Sequence, residues 1–61
     1  MKASDLKKGT KYTERGMIFE VKRITMITNK SITFITKRIA PDYYDADIFN
    51  RKGLNTLIKT I

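Results

Sequence analysis

Few side chains in this sequence could act as nucleophiles or as acid–base groups, and none has an evident activating partner. The only serines are Ser4 and Ser31, and the chain has no histidine or cysteine. A serine nucleophile needs an adjacent general base, which is usually a histidine. We therefore expect a protein without catalytic activity, without a cofactor and without a small-molecule substrate.

Three aspartates lie close together in sequence, at Asp42, Asp45 and Asp47. Carboxylates in such a group can bind a divalent cation, but an EF-hand loop also needs a glycine at its turn and a closing glutamate, which are absent here. The simpler interpretation is that these are solubilising loop acids, so no metal site is predicted. A weak divalent-cation site is the alternative.

Cationic side chains are the better candidates for binding chemistry. Five fall on two predicted strands and on the turn between them: Lys22, Arg23, Lys30, Lys37 and Arg38. If the strands pair antiparallel through that turn, the first two residues lie roughly opposite the last two. Like charges that face each other across a sheet cost stability, so this arrangement favours a bound polyanion. Solvated lysines that keep a β protein soluble are the alternative.

Tyr43 and Tyr44 could add aromatic contacts to such a surface. Stacking of a base on an aromatic side chain contributes about 1–3 kcal/mol. However, the flanking Asp42 and Asp45 repel phosphate, and packing of a tyrosine in the core or against the hairpin is the alternative. We predict a stacking role at both positions.

The net charge of +7 is concentrated in one part of the chain. Residues 1–41 hold ten basic and three acidic residues, whereas residues 42–61 hold three of each. A small domain this basic attracts polyanions through its summed field. The leading hypothesis is nucleic-acid binding through the DNA or RNA backbone with low sequence specificity. Binding of an acidic protein surface is the alternative, and an electrostatic contact with a membrane surface is a weaker one.

Strand-forming residues dominate the composition, with thirteen Ile, Val or Phe and eight Thr in 61 residues. The pattern predicts strands over residues 10–14, 17–26, 31–39, 45–50 and 54–61. A short helical turn is predicted within residues 4–9. A helix over residues 45–60 competes with the last two strands, although Gly53 in its middle disfavours it.

Turn residues and parity predict how the strands connect. Arg15-Gly16 predicts a tight turn with Gly16 at positive φ, and residues 28–31 predict a hairpin turn with Asn29 at positive φ. Apolar residues occupy odd-numbered positions from Met17 to Val21 and even-numbered positions at Ile24 and Met26. A β-bulge at Lys22-Arg23 would return both sets to one face.

The predicted fold is a single, mainly β domain over residues 1–61. Five short strands favour a small antiparallel barrel of the SH3-like or OB-like kind. The opening Asp5-Leu6-Lys7-Lys8-Gly9 also resembles the start of many SH3-like barrels. A chain of this length buries only about 60% of its unfolded surface, and no disulfide stabilises it.

Both faces of two predicted strands are apolar, which leaves some side chains pointing out of a one-layer barrel. These are Ile35, Ile39, Leu57 and Ile61. An exposed patch of this kind is typical of a protein interface, either with a partner or in a homodimer. Bulges or a packed terminal segment that cover the patch are the alternative.

The abundance of Ile, Lys, Asn and Thr fits AT-rich coding, as in phages and mobile elements. Small proteins of such elements often act as inhibitors or adaptors of host proteins. No run of about 18 apolar residues predicts a membrane span, and residues 1–5 lack the apolar core of a signal peptide. We therefore expect a cytoplasmic protein.

Overall fold

A computed structural model describes all 61 residues, which form five strands and one short 3-10 helix. The 3-10 helix is Ala3–Asp5, and the strands are β1 (Lys11–Glu14), β2 (Met17–Ile27), β3 (Ser31–Ala40), β4 (Tyr44–Gly53) and β5 (Lys59–Thr60). The predicted mainly β, five-stranded antiparallel class is confirmed. The competing helix over residues 45–60 is wrong, because most of that segment is strand. No helix is long or apolar enough to cross a membrane.

The strands form one sheet in the order β4-β3-β2-β1-β5, and every pairing is antiparallel. The first four strands follow one another as neighbours, and β5 returns to pair with β1. Strands β4 and β5 are the two edges and do not pair, so the sheet is not closed into a barrel. The SH3-like or OB-like detail of the expected fold therefore stays a prediction.

The β1–β2 connection is a two-residue turn in which both residues have positive φ, 55° at Arg15 and 76° at Gly16. Positive φ at both central positions is the pattern of a type I′ hairpin turn, which matches the twist of the strands. The prediction for Gly16 is confirmed, and Arg15 shares its conformation.

The β2–β3 turn is stabilised by a side chain rather than by positive φ. The prediction for Asn29 is wrong, since Arg15 is the only non-glycine residue with positive φ. Instead, Oγ1 of Thr28 accepts hydrogen bonds from the backbone N–H groups of Lys30, at 3.1 Å, and Ser31, at 3.0 Å. A threonine hydroxyl can thus set a turn that does not need a left-handed residue.

The predicted β-bulge in β2 is present. Val21 pairs with Thr36 and Arg23 pairs with Ile35, so Lys22 has no partner on β3. A second irregularity between Ile24 and Met26 leaves out Thr25 in the same way. Each bulge adds one residue to β2 and increases the local bend of the strand.

The hydrophobic core lies on the concave face of the sheet, and Ile48 of β4 packs against its buried members. Its buried members are Ala3, Leu6, Tyr12, Phe19, Val21, Ile32, Phe34 and Ile58. The rings of Tyr12 and Phe19 are stacked at 5.6 Å between centroids, and Phe34 meets Tyr12 edge-on at 6.3 Å. Such aromatic contacts add to the free energy that burial of these large side chains provides.

The chain after β4 differs most from the prediction, because β4 continues to Gly53 and β5 has two residues instead of eight. The segment between them pairs with the N-terminus. The N–H of Ala3 donates to the carbonyl of Thr56 at 2.8 Å, and Met1 and Ile58 exchange backbone hydrogen bonds. This pairing places Ala3 and Ile58 over the core, so the segment cannot also extend the ladder on β1.

Candidate functional site

The structure does not bring the four cations of β2 and β3 face to face. Lys37 lies opposite Glu20 and Arg38 opposite Phe19, whereas Arg23 lies opposite Ile35. The two extra residues in β2 account for this, because each shifts the register by one residue relative to a regular hairpin. The facing arrangement of like charges that favoured a bound polyanion is therefore wrong.

Three of the five predicted cations are instead paired with acids. The pairs are Lys22 Nζ with Glu20 Oε1 at 2.9 Å, Lys37 Nζ with Asp45 Oδ1 at 2.9 Å, and Arg23 Nη2 with Asp47 Oδ2 at 3.5 Å. We call these six residues the outer charge network. It carries three positive and three negative charges, so it offers no net charge to a polyanion.

The pKa shifts within the outer charge network follow from these contacts. The hydrogen bond and positive charge of Lys22 lower the pKa of the Glu20 carboxyl. Lys37 lowers the pKa of Asp45 in the same way, and Asp45 raises the pKa of Lys37. Each shift favours the charged form of Glu20, Lys37 or Asp45.

Arg38 and the two tyrosines lie together at the end of the sheet where β3 passes into β4. The Arg38 guanidinium carbon is 5.5 Å from the centroid of the Tyr44 ring, and its Nε donates to the carbonyl of Asp42 at 3.1 Å. Tyr43 and Tyr44 are exposed, so the alternative that one of them packs in the core is wrong. Arg38 has no acidic side-chain partner. Although its guanidinium lies over the Tyr44 ring, Tyr44 remains 51% exposed to solvent.

Lys30 lies at the opposite end, in the β2–β3 turn, and also lacks an acidic partner. It borders a shallow, open groove together with Asn29 and residues 53–56. Leu54 is the only hydrophobic residue of that lining. Small-molecule sites are usually enclosed and mostly apolar, so this groove has little to hold a ligand.

Nine of the thirteen cations have no acid within ion-pair distance, and these carry the net charge of the protein. They are Lys2, Lys7, Lys8, Lys11, Arg15, Lys30, Arg38, Arg51 and Lys59. Five belong to β1, to β5 or to the turns that flank β1. We call Lys7, Lys8, Lys11, Arg15 and Lys59 the β1–β5 cations.

Backbone pairing places the β1–β5 cations on β1, on the neighbouring strand β5 and in the turns before and after β1. Lys59 lies one strand away from Lys11, because Thr13 pairs with Lys59 and the N–H of Ile61 donates to the carbonyl of Lys11 at 3.2 Å. The turn that holds Lys7 and Lys8 is tied to β2 through the Gly9 N–H, which donates to the carbonyl of Val21 at 2.8 Å. Sequence reasoning missed this group because Lys59 joins the four cations of residues 7–15 only through the pairing of β5 with β1.

The four isoleucines and leucines expected to point outward differ in exposure. Ile35 faces away from the core but is only 8% exposed, since Arg23 and Phe49 flank it on neighbouring strands. Ile39 is half-buried, while Leu57 and Ile61 are exposed. Sequence reasoning missed Met26, Ile27 and Phe49, which are also exposed.

One titratable group is fully enclosed. Tyr12 is 1% exposed, and burial together with the nearby negative charge of Glu14 raises its pKa to about 12, with the Thr36 hydroxyl acting in the opposite direction. Thr36 in turn accepts a hydrogen bond from Asn50 Nδ2 at 2.9 Å. Because no substrate can reach it, this polar group has a structural role.

The aspartates at positions 42, 45 and 47 do not form a metal centre. Asp45 and Asp47 are bound to cations of the outer charge network, and no group of three or more potential metal ligands occurs in the structure. Comparison with known proteins adds no identification: no protein family, no curated protein and no solved structure matches this chain. The fold and the surface charges define a small, basic, all-β domain.

Proposed function

We propose that this protein is a small non-catalytic binding module for nucleic acid, which it binds through the phosphate backbone with little sequence preference. The observation that carries the proposal is the group of β1–β5 cations, none of which has an acidic partner. Binding of a polyanion releases condensed counterions from the nucleic acid for each phosphate that is neutralised. Cations already held by carboxylates gain less from such contacts, so the interface lies on the β1–β5 side rather than on the outer charge network.

Arg38 and Tyr44 supply the second part of the proposed interface. Arg15 follows β1 in the turn at the same end of the sheet, because β2 begins next to it and Ile18 of β2 pairs with Ala40 of β3. A single-stranded nucleic acid bound along the β1–β5 cations would therefore reach Tyr43 and Tyr44. An unpaired base can stack there on an exposed ring. Asp42 beside them disfavours phosphate there, which is consistent with base contacts at this end.

The experiment is a comparison of two double variants with the same net charge. Lys11→Gln with Lys59→Gln removes two β1–β5 cations, whereas Lys22→Gln with Lys37→Gln removes two cations of the outer charge network. Binding of a labelled single-stranded oligonucleotide is measured by fluorescence anisotropy over a range of salt concentrations. Log K should fall with log salt at a slope of about −0.7 per neutralised phosphate.

We expect the first variant to lower the affinity about tenfold or more at low salt and to reduce the slope by about 1.4, which corresponds to two phosphates. The matched control should bind nearly as the wild type does. Equal losses in both variants would show that only the net charge matters and would reject the interface. If the wild-type protein does not bind at low salt, or binds without salt dependence, the nucleic-acid proposal itself fails.

We also propose that the open sheet is an SH3-like rather than an OB-like architecture. The first four strands form a simple meander, in contrast to the Greek-key connection of the OB fold. Contacts across the concave face support a curled sheet: Lys52 of β4 and Glu14 of β1 form an ion pair at 2.8 Å, although two strands lie between them. A crystal structure with a flat sheet, in which the edge strands β4 and β5 lie far apart, would contradict this assignment.

Protein interaction is the second candidate function, and the exposure of Leu57 and Ile61 favours it. Both are apolar, and each lies beside a cation, since Leu57 pairs with Lys2 and the N–H of Ile61 donates to the carbonyl of Lys11. They would suit a partner that combines an apolar groove with acidic side chains. Leu57→Ser with Ile61→Ser should abolish binding of such a partner while leaving oligonucleotide binding unchanged. The variant Lys11→Gln with Lys59→Gln should show the opposite result, with weaker oligonucleotide binding and largely unchanged binding of the protein partner. This contrast separates the two functions.

A further inference from the structure

Strand β4 is the one long sheet edge that nothing in the protein covers. It spans ten residues and pairs only with β3, whereas the other edge strand, β5, has two residues. An edge of this length presents a row of unpaired N–H and C=O groups that can pair with another strand. Natural proteins often protect such an edge with charges, so the pattern of charges on β4 decides which partner it accepts.

The charges of β4 are arranged with opposite signs in its two halves. Asp45 and Asp47 lie in the N-terminal half, and Arg51 lies in the C-terminal half on the same face of the strand. Phe49 stands between them and is 68% exposed. A strand that runs parallel in register with β4 would place like charges together, but an antiparallel copy of the same strand would place opposite charges together.

We propose that two copies of this chain associate through β4, antiparallel and around a two-fold axis at Phe49, to form a continuous ten-stranded sheet. In this register Asp47 of each copy faces Arg51 of the other, and the two Phe49 rings meet on the same face. Such an interface is isologous, because the same residues meet on both sides. The association does not depend on the proposed function, since the β1–β5 cations lie at the opposite edge and remain free.

The paired segment covers residues 47–51 and lies mostly beyond the irregular part of β4. The register of β4 on β3 is regular from Ile48 to Gly53, and the irregularity falls between Tyr44 and Ile48. Asp47 also contacts Arg23 at 3.5 Å within its own chain, but its side chain remains half exposed and can accept a second cation. The partner's arginine would therefore extend an existing ion pair.

The test uses two variants that are complementary to each other. Asp47→Arg places an arginine opposite Arg51 at both symmetric positions, and Arg51→Asp places an aspartate opposite Asp47, so each variant should associate with itself more weakly than the wild type does. In an equimolar mixture, however, each altered side chain faces an opposite charge in the other chain. Sedimentation equilibrium of the wild type should approach twice the 7.1 kDa mass of one chain as concentration increases.

We expect each single variant to weaken self-association about tenfold or more, and we expect the mixture to restore the dimer. Asp42→Arg, which makes the same charge change in the loop before β4, should associate as the wild type does. Circular dichroism and thermal unfolding show whether each variant folds. A wild type that remains monomeric at millimolar concentration would overturn the proposal, as would single variants that dimerise as strongly as the wild type or a mixture that associates no better than either variant alone.

Discussion

Lys52 and Glu14 form an ion pair across the concave face of the sheet, with 2.8 Å between Nζ and Oε2, although they lie on β4 and β1. The Lys52 side chain is 18% exposed and the Glu14 side chain 38% exposed. The pair lies at the margin of the core, where partial desolvation makes an unpaired charge more costly than on an open surface. The pair therefore links β4 directly to β1, although these two strands are not hydrogen-bonded neighbours in the sheet.

We predict that Lys52→Met lowers the free energy of unfolding by about 1 kcal/mol, because it leaves the Glu14 carboxylate without its partner. Glu14→Gln should cost a similar amount. The double variant should cost less than the sum of the two, with a coupling energy of about 0.5–1 kcal/mol. Urea denaturation measures all four stabilities.

Lys59→Met serves as the control, since Lys59 is exposed and has no acidic partner, and its stability should change by less than about 0.5 kcal/mol. If the two single changes at Lys52 and Glu14 were simply additive, the ion pair would not stabilise the curled sheet.

Tyr12 predicts a loss of stability at alkaline pH. Its pKa is raised from 10.0 to about 12 in the folded protein, mainly by burial. Below pH 10 the phenol is protonated in both the folded and the unfolded state, and the full stability is present. Between 10 and 12 only the unfolded state releases the proton, so the free energy of unfolding should fall by about 1.4 kcal/mol per pH unit.

The measurement is the urea stability of the wild type and of Tyr12→Phe across this alkaline range. Lysine deprotonation affects both proteins alike, so the difference between them isolates the phenol. The wild type should lose stability relative to Tyr12→Phe as the pH rises above 10. Parallel pH profiles of the two proteins would contradict the burial of the neutral phenol.

The parts of the fold that local sequence determines were predictable. Alternating apolar residues and β-branched side chains mark β2 and β3, and the Arg15-Gly16 turn follows from the need for a left-handed residue. The bulge at Lys22 was also predictable, because the apolar parity changes there. These features depend on residues that are near one another in sequence.

The remaining features depend on contacts between distant segments. The Lys37–Asp45 ion pair requires the register of β3 on β4, and the second bulge at Thr25 has no parity signal of its own. The shortness of β5 depends on hydrogen bonds between Ala3 and Thr56. The local pattern therefore predicted most strands but did not predict the ion pairs that hold Lys22, Arg23 and Lys37.

The β1–β2 turn predicts opposite effects of two substitutions. Arg15 has φ of 55°, a conformation that asparagine adopts more readily than arginine, so Arg15→Asn should stabilise the protein by about 0.5 kcal/mol. Gly16 has φ of 76° with open space around it, so Gly16→Ala should destabilise by about 1 kcal/mol through backbone strain alone.

Gly53→Ala is the comparison, because Gly53 does not have a positive φ and an added Cβ would make an ordinary contact with Thr56 at 3.4 Å. It should cost less than Gly16→Ala. Thermal unfolding monitored by circular dichroism ranks the three variants, and a larger loss at Gly53 than at Gly16 would argue against a type I′ turn.

The β2–β3 turn predicts that Thr28, and not Asn29, controls the hairpin. Thr28 Oγ1 accepts two backbone hydrogen bonds, from Lys30 and Ser31, and valine has the same shape without the acceptor. Thr28→Val should therefore lower the free energy of unfolding by about 1 kcal/mol, and Thr28→Ser should recover most of the loss. Asn29→Ala should have little effect, because the Asn29 side chain makes no hydrogen bond and its backbone does not have positive φ. Urea denaturation of the three variants tests this order, and a greater loss from Asn29→Ala than from Thr28→Val would show that the turn depends on Asn29 after all.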